Sequence, residues 1–114
     1  MITDYSSACW DVYYQGKPVL FYQFDVDDYN RTNGSYLNME KDLFGDRCTE
    51  QEDLVHLIKD YAENDFQEKQ KYAEMRKEYF AYIDHNNCQR TYEYIKSQGY
   101  KTLAFTIKPI LLLL

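Results

Sequence analysis

Asp4-Tyr5-Ser6-Ser7 places a carboxylate, a phenol and two hydroxyls in four consecutive residues. They stand between a short apolar lead, Met1-Ile2-Thr3, and the apolar run Ala8, Cys9, Trp10, Val12 and Tyr13. That order predicts the end of a buried strand, a tight turn and the start of a helix. Such a turn can hold a phosphate. The first helical turn has N–H groups without intrahelical partners and a partial positive charge, and the Ser6 and Ser7 hydroxyls add donors of their own. Asp4 is placed to cap the helix while the two serines face a ligand. Asp and Ser ahead of an apolar helix are also ordinary capping residues, so the turn alone leaves both readings open.

The other reactive side chains offer less. Asp25, Asp27 and Asp28 crowd together, but no later Glu completes a 12-residue calcium loop, so no metal site is read there. His56 and His85 have no nucleophile or metal-ligand partner at useful spacing and are read as surface or capping residues. Cys9, Cys48 and Cys88 are odd in number and contain no C-x-x-C pair. That argues against a disulfide framework or a zinc knuckle and fits a reducing cytoplasm, with Cys88 a packing residue. No cofactor is expected.

The elements that must position the turn follow from the hydrophobic pattern. A helix over 6–15 ends at Gly16, the usual left-handed cap, and Lys17-Pro18 launches a strand that needs no donor at its start. The apolar run 18–24 has the length of a parallel strand covered on both faces. Strand, helix and strand in so short a span make a right-handed βαβ unit, with ligands gathering beyond the carboxyl ends of the strands, where residues 4–7 and 23–25 both fall. Residues 25–48 read as a long loop with at most one short strand. Thr49-Glu50-Gln51-Glu52 fits a capping box opening a helix whose apolar face is Leu54, Val55, Leu57, Ile58 and Tyr61. Asn64-Asp65 breaks it, and a second helix over 66–82 carries a core stripe of Tyr72, Met75, Tyr79 and Phe80. A polar break at 84–87 leads to a last helix over 88–97 closed by Gly99. The apolar tail 100–114, interrupted by Lys108-Pro109, is too short to span a bilayer as a helix.

The fold class is therefore α/β: a partial Rossmann-like parallel sheet followed by C-terminal helices, in a domain over 1–99 with a tail over 100–114. A domain rarely opens on its own phosphate turn, so a preceding strand-helix unit is expected, with Met1 internal to a longer protein. A 114-residue chain that is 45% hydrophobic, with 13 Tyr and 6 Phe, must bury a core and is no disordered acidic tail. The net charge of −6, without any block of Lys and Arg, excludes a sequence-independent nucleic-acid surface. No secretory signal is visible.

Ile2-Thr3-Asp4-Tyr5-Ser6-Ser7, Asp11, the run Gly16-Lys17-Pro18 through Phe21-Tyr22-Gln23-Phe24-Asp25, and Tyr29, Gly34 and Tyr36 together resemble the bacterial CDP-glycerol glycerophosphotransferase family. Residues 2–36 carry the likeness, and Asp84 with Arg90 extends it weakly. The resemblance implies the C-terminal donor-binding domain of a type B glycosyltransferase architecture, with a missing N-terminal domain. It implies attack by an acceptor hydroxyl on the β-phosphate of CDP-glycerol, with CMP released. The acceptor would be a teichoic-acid or capsular polymer, or a lipid-linked precursor, met by peripheral contact at the inner face of the cell membrane. Family catalytic histidine motifs lie upstream of the matching segment, so the catalytic residues are expected there and this segment alone is expected to be inactive. Thr3, Asp4, Ser6 and Ser7 become the donor- and phosphate-binding residues. Members commonly carry Arg where this chain has Asn30 and Asn33, leaving Arg31 as the nearby guanidinium and the fifth expected donor-binding residue, against the diphosphate. Other readings are a non-catalytic remnant or binding module, or a transferase using CDP-ribitol or a sugar nucleotide.

Overall fold

The structure, a computed structural model, describes residues 1–34, 37–38 and 41–98. The expectations for Tyr36, Gly99 and the 100–114 tail lie outside the described residues. Two compact units divide the chain, the first being Met1–Ala81 and the second opening at Tyr82.

Three short parallel strands, β1 (Ile2–Thr3), β2 (Leu20–Tyr22) and β3 (Asp46–Cys48), form a sheet in the order β1-β2-β3. Ile2 pairs with Leu20 and Thr3 with Phe21, while Leu20, Phe21 and Tyr22 face Asp46, Arg47 and Cys48. The expected α/β class and parallel βαβ unit are present. The second strand is shorter than the apolar run 18–24, because its ladder reaches only as far as its two short neighbours, and Phe24 stands exposed.

Helix α1 (Cys9–Tyr14) is also shorter than the expected 6–15. Residues 6–8 form a turn instead, in which the Cys9 and Trp10 N–H groups donate to the carbonyls of Ser6 and Ser7. The helix ends as expected at Gly16, which has φ +72°. Lys17 N–H reaches the Val12 carbonyl at 3.2 Å and Gly16 N–H the Tyr13 carbonyl at 2.9 Å, a Schellman closure that needs that left-handed residue.

The span expected as a loop holds two elements, helix α2 (Val26–Thr32) and strand β3. Its acidic residues suit the helix: Asp27 and Asp28 lie in the first turn of α2 and Arg31 in the last, each matched to the helix dipole. Helix α3 (Gln51–Glu63) starts one residue later than a Thr49 cap predicts, with Glu50 at the N-cap and no side-chain capping bond. Of its apolar face only Tyr61 is buried. Asp65 and Phe66, both at φ 52°, turn the chain sharply and delay helix α4 to Gln70–Tyr79. The expected α4 stripe does pack on the core: Tyr72 is buried, and Met75, Tyr79 and Phe80 lie against it.

In the second unit, helix α5 (Asn87–Ser97) matches the expected last helix. Arg90 grips both Asp84 carboxylate oxygens, at 2.6 and 3.2 Å, and lies over the Tyr82 ring. The Arg90 bond, then the Asn86 N–H, pull the Asp84 carboxyl down to about 2. Cys88 is exposed, not the packing residue expected, because it starts a helix with no buried residue. Cys9 and Cys48 are buried. No helix among the described residues is long and apolar enough to cross a membrane.

The core of the first unit is aromatic. Tyr13 (0% exposed) stacks on Phe44 (1%) with ring centroids 4.1 Å apart. Trp10 lies 4.3 Å and Phe21 5.4 Å from the same Phe44 ring. Burial pushes the Tyr13 phenol up to about 12, and its hydroxyl donates to the Tyr72 carbonyl at 2.6 Å, so the buried donor is satisfied. Between Phe44 and β3, Gly45 lets β3 approach β2: a Cβ there would sit 2.1 Å from the Val19 carbonyl oxygen.

Asp46, 14% exposed at its side chain, ties the helices to that sheet. Its carboxylate accepts from Tyr61 Oη at 2.9 Å and Tyr72 Oη at 2.7 Å, and pairs with Lys69 Nζ at 2.7 Å. Burial alone would raise this carboxyl, but the bonds from Lys69, Tyr72 and Tyr61 outweigh it and hold it below its ordinary value. Burial, and then donation to Asp46, push both phenols up.

Two outcomes follow for stability. Gly45→Ala is expected to cost about 2 kcal/mol or more, because backbone and not a flexible side chain must move; a denaturation midpoint equal to the wild type would refute the close approach. Asp46 is ionised more readily folded than unfolded, so its contribution is complete above its unfolded value and is lost as pH falls through the lower folded one. Wild-type stability should therefore decline below about pH 4, and Asp46→Asn should flatten that decline, as read by urea midpoints across the acid range.

Candidate functional site

Beyond the carboxyl ends of β1 and β2 the chain leaves a cavity of about 440 Å³. Its polar lining includes Asp4, Ser6, Ser7, Gln23 and Asn33, and Trp10 and Phe44 connect it to the core. Each polar residue arrives by the logic of the parallel sheet: strands ending side by side deliver their next residues to one rim. Asp4 follows β1 and Gln23 follows β2.

The turn between β1 and α1 is held locally. Asp4 Oδ1 accepts the Tyr5 N–H, and Ser6 Oγ accepts the Ala8 N–H at 3.3 Å. Asp4 therefore orders its own turn and does not cap α1, whose N-cap is Ala8. Gln23, 0% exposed, fastens the turn from the neighbouring strand: its Nε2 donates to the Asp4 carbonyl at 3.2 Å. Its Oε1 accepts from Arg47 Nε at 2.8 Å, so one carboxamide links the residues that follow β1 and β2 to the middle of β3.

Helix α2 covers the other side. Tyr29 stacks on Tyr5 with centroids 3.6 Å apart and planes 6° from parallel, and Tyr5 Oη donates to Asp25 Oδ1 at 3.0 Å. Burial, followed by that bond and the Asp25 charge, pushes the Tyr5 phenol up, with the Arg47 charge opposing. Among the described residues no group of three or more His, Cys, Asp or Glu is arranged to hold a metal ion. The cavity presents hydroxyl, amide and carboxylate groups above an aromatic floor, suited to a ligand with both anionic and hydroxyl groups.

The sequence profile of "CDP-Glycerol:Poly(glycerophosphate) glycerophosphotransferase" matches residues 1–97. The chain belongs to that glycerophosphotransferase family. It is 35% identical over 95 residues, 83% of its length, to the minor teichoic acid biosynthesis protein GgaB of Bacillus subtilis (strain 168), of which it covers 10%. Over 60 residues, 53% of the chain, it is 33% identical to the teichoic acid poly(ribitol-phosphate) polymerase of Bacillus spizizenii, covering 10% of that protein. It is 35% identical over 60 residues to the teichoic acid glycerol-phosphate primase of the same species, covering 16% of it. The chain thus spans a tenth to a sixth of the length of these relatives. No solved structure matches it.

Within this glycerophosphotransferase segment, the cavity gathers Asp4, Ser6 and Ser7 from the expected donor residues. Thr3 lies in β1, opposite Phe21, and is not part of the lining. Arg31 is on α2, paired with Asp28 and highly exposed, and it too is outside the lining. Asn33 and Gly34, from the loop where the family commonly has an arginine, do line it. Sequence reasoning missed two contacts. The Tyr5–Tyr29 stack had a signal, since both tyrosines belong to the resembling pattern; the Arg47 bond had none, because Arg47 fell in a span read as loop. His56 and His85 are exposed, as expected of surface residues.

The stack makes α2 and the turn interdependent. A double-mutant cycle of Tyr5→Ala and Tyr29→Ala is expected to show a coupling of about 1 kcal/mol in unfolding free energy, and strictly additive losses would mean the rings do not hold the turn.

Proposed function

We propose that the cavity takes the diphosphate end of CDP-glycerol, and that the chain is the C-terminal donor-binding part of an enzyme transferring glycerol phosphate to a teichoic-acid or capsular polymer. The observation that carries the reading is the meeting of Ser6, Ser7 and Asp4 with Gln23 in one cavity at the carboxyl ends of parallel strands, in a chain of this family. In this reading Ser6, Ser7 and N–H groups of their turn donate to the phosphates, and Asp4 shapes the turn. Thr3 supports it from β1, and Arg31 reaches the diphosphate only by exchanging its Asp28 partner.

The reaction forms a bond from an acceptor hydroxyl oxygen to the β-phosphorus and breaks the bond between that phosphorus and the bridging oxygen. CMP leaves with the bridging oxygen, and the acceptor proton passes to a base. Charge developing on the diphosphate needs donors already in place, which this segment supplies; the base belongs to the upstream part of a longer enzyme. The same cavity suits CDP-ribitol, a reading favoured by the likeness to a poly(ribitol-phosphate) polymerase. The acceptor, polymer or lipid-linked, is met at the cytoplasmic face of the membrane, with the remaining enzyme providing the contact.

Ser6→Ala with Ser7→Ala is expected to weaken CDP-glycerol binding about tenfold or more in titration calorimetry, with only the small loss of unfolding midpoint that follows from losing the exposed Ser6–Ala8 bond. Unchanged affinity would remove the phosphate assignment. Competition by CDP-ribitol and a UDP-sugar in the same titration ranks the donors.

A further inference from the structure

Of the four arginines, Arg31, Arg76 and Arg90 are each paired with a carboxylate, on Asp28, Glu68 and Asp84. Arg47 is different. Its Nε bonds to a neutral carboxamide, that of Gln23, and no carboxylate pairs with it among the described residues. It therefore brings an uncompensated positive charge to the middle of β3, close enough for its field to act on the Tyr5 phenol at the cavity.

The bond also settles an orientation. A carboxamide has one accepting and one donating end, similar in shape, whereas a guanidinium can only donate. With Arg47 on Oε1, the Gln23 amide nitrogen must turn the other way, where it meets the Asp4 carbonyl. The reversed carboxamide would set its oxygen against that carbonyl and its nitrogen against the guanidinium, two repulsive contacts in place of two bonds. Gln23 is fully buried, so water cannot relieve them.

We infer that Arg47 is a positioning residue for the donor site, fixing the Asp4–Ser7 turn through the carboxamide of Gln23. Arg47 does not line the cavity; Gln23 and the turn do. The ligand-binding part of this inference rests on the donor reading above, whereas the positioning part rests on the hydrogen bonds alone.

Two measurements on the 114-residue chain test it. In amide hydrogen exchange, Arg47→Met is expected to speed exchange of the amides of residues 5–9 by about tenfold while leaving those of β2 unchanged. Arg47→Lys, which keeps a cation and a donor, is expected to recover most of the protection. Unchanged exchange in the turn, equal acceleration throughout the sheet, or equal losses in both variants would overturn the assignment. In titrations with CDP-glycerol, Arg47→Met and Gln23→Leu should each weaken binding about tenfold, and the double variant should lose no more than the worse single one, since both act through one bond. Additive losses would overturn the relay. If the wild type fails to bind CDP-glycerol while Arg47→Met still loosens the turn, the donor reading falls and the positioning role stands.

Discussion

Every helix of the first unit except α2 is connected to one carboxylate at the start of the edge strand β3. Asp46 receives the phenols of Tyr61 on α3 and Tyr72 on α4 and the ammonium of Lys69, which precedes α4. The Tyr72 carbonyl then accepts the hydroxyl of Tyr13 on α1. A strand of three residues paired on one edge offers too few backbone bonds to place three helices, and the apolar contacts of α3 are sparse. Polar bonds with fixed partners do the placing. The cost of desolvating Asp46 is offset because each surrounding group donates to it, which is the condition under which a buried charge can be retained.

The aromatic core sits under the same arrangement and fixes the site from below. Phe44 carries the Tyr13 stack on one face and meets Trp10 and Phe21 at its sides, while it and Trp10 also form the apolar boundary of the cavity. Core and site therefore share side chains. The position of α1 is set by Tyr13 and Trp10 against Phe44, and the turn that carries Ser6 and Ser7 is the chain leading into α1. Packing errors at Phe44 would be transmitted to the serines within a few residues.

The sequence was legible where local rules and burial agree. Gly16 after an aromatic helix, followed by Lys-Pro and an apolar run, announces a helix end and a strand, and both occur. The stripe Tyr72, Met75, Tyr79 and Phe80 reads as core because its period matches a helix face, and it packs on the core. Strand β3 was illegible because Asp46-Arg47-Cys48 has no apolar alternation: its place comes from pairing with β2, and its polar side chains are used for bonds to Tyr61, Tyr72, Lys69 and Gln23. Helix α2 was hidden because Asp, Asn and Gly in 25–34 read as loop, although Asp27 and Asp28 suit a first helical turn. The apolar face of α3 obeyed the helical period but met little to bury it, since periodicity states which residues share a face and not what lies opposite. The cavity followed from the parallel connection of β1 and β2; Arg47 did not, because the one short strand allowed in 25–48 had no assigned place.

Charge bears on how an acidic chain would hold the phosphate proposed for the cavity. A net charge of −6 opposes anions at long range, yet screening confines that field to roughly 8–10 Å at physiological ionic strength. Within that distance the cavity relies on hydroxyls and amides, whose strength lies in direction and not in net charge. Most described arginines are already committed to carboxylates, so the positive ends of dipoles have to be aimed accurately to be useful. Accurate aim requires fixed supports, which is what the Asp4 carboxylate within the turn, the buried Gln23 beside it and the Tyr5–Tyr29 stack above it supply. A site built from dipoles on a small sheet needs a rigid rim more than it needs nearby cations, and bonds between distant residues brace this rim from Asp25, Gln23 and Arg47.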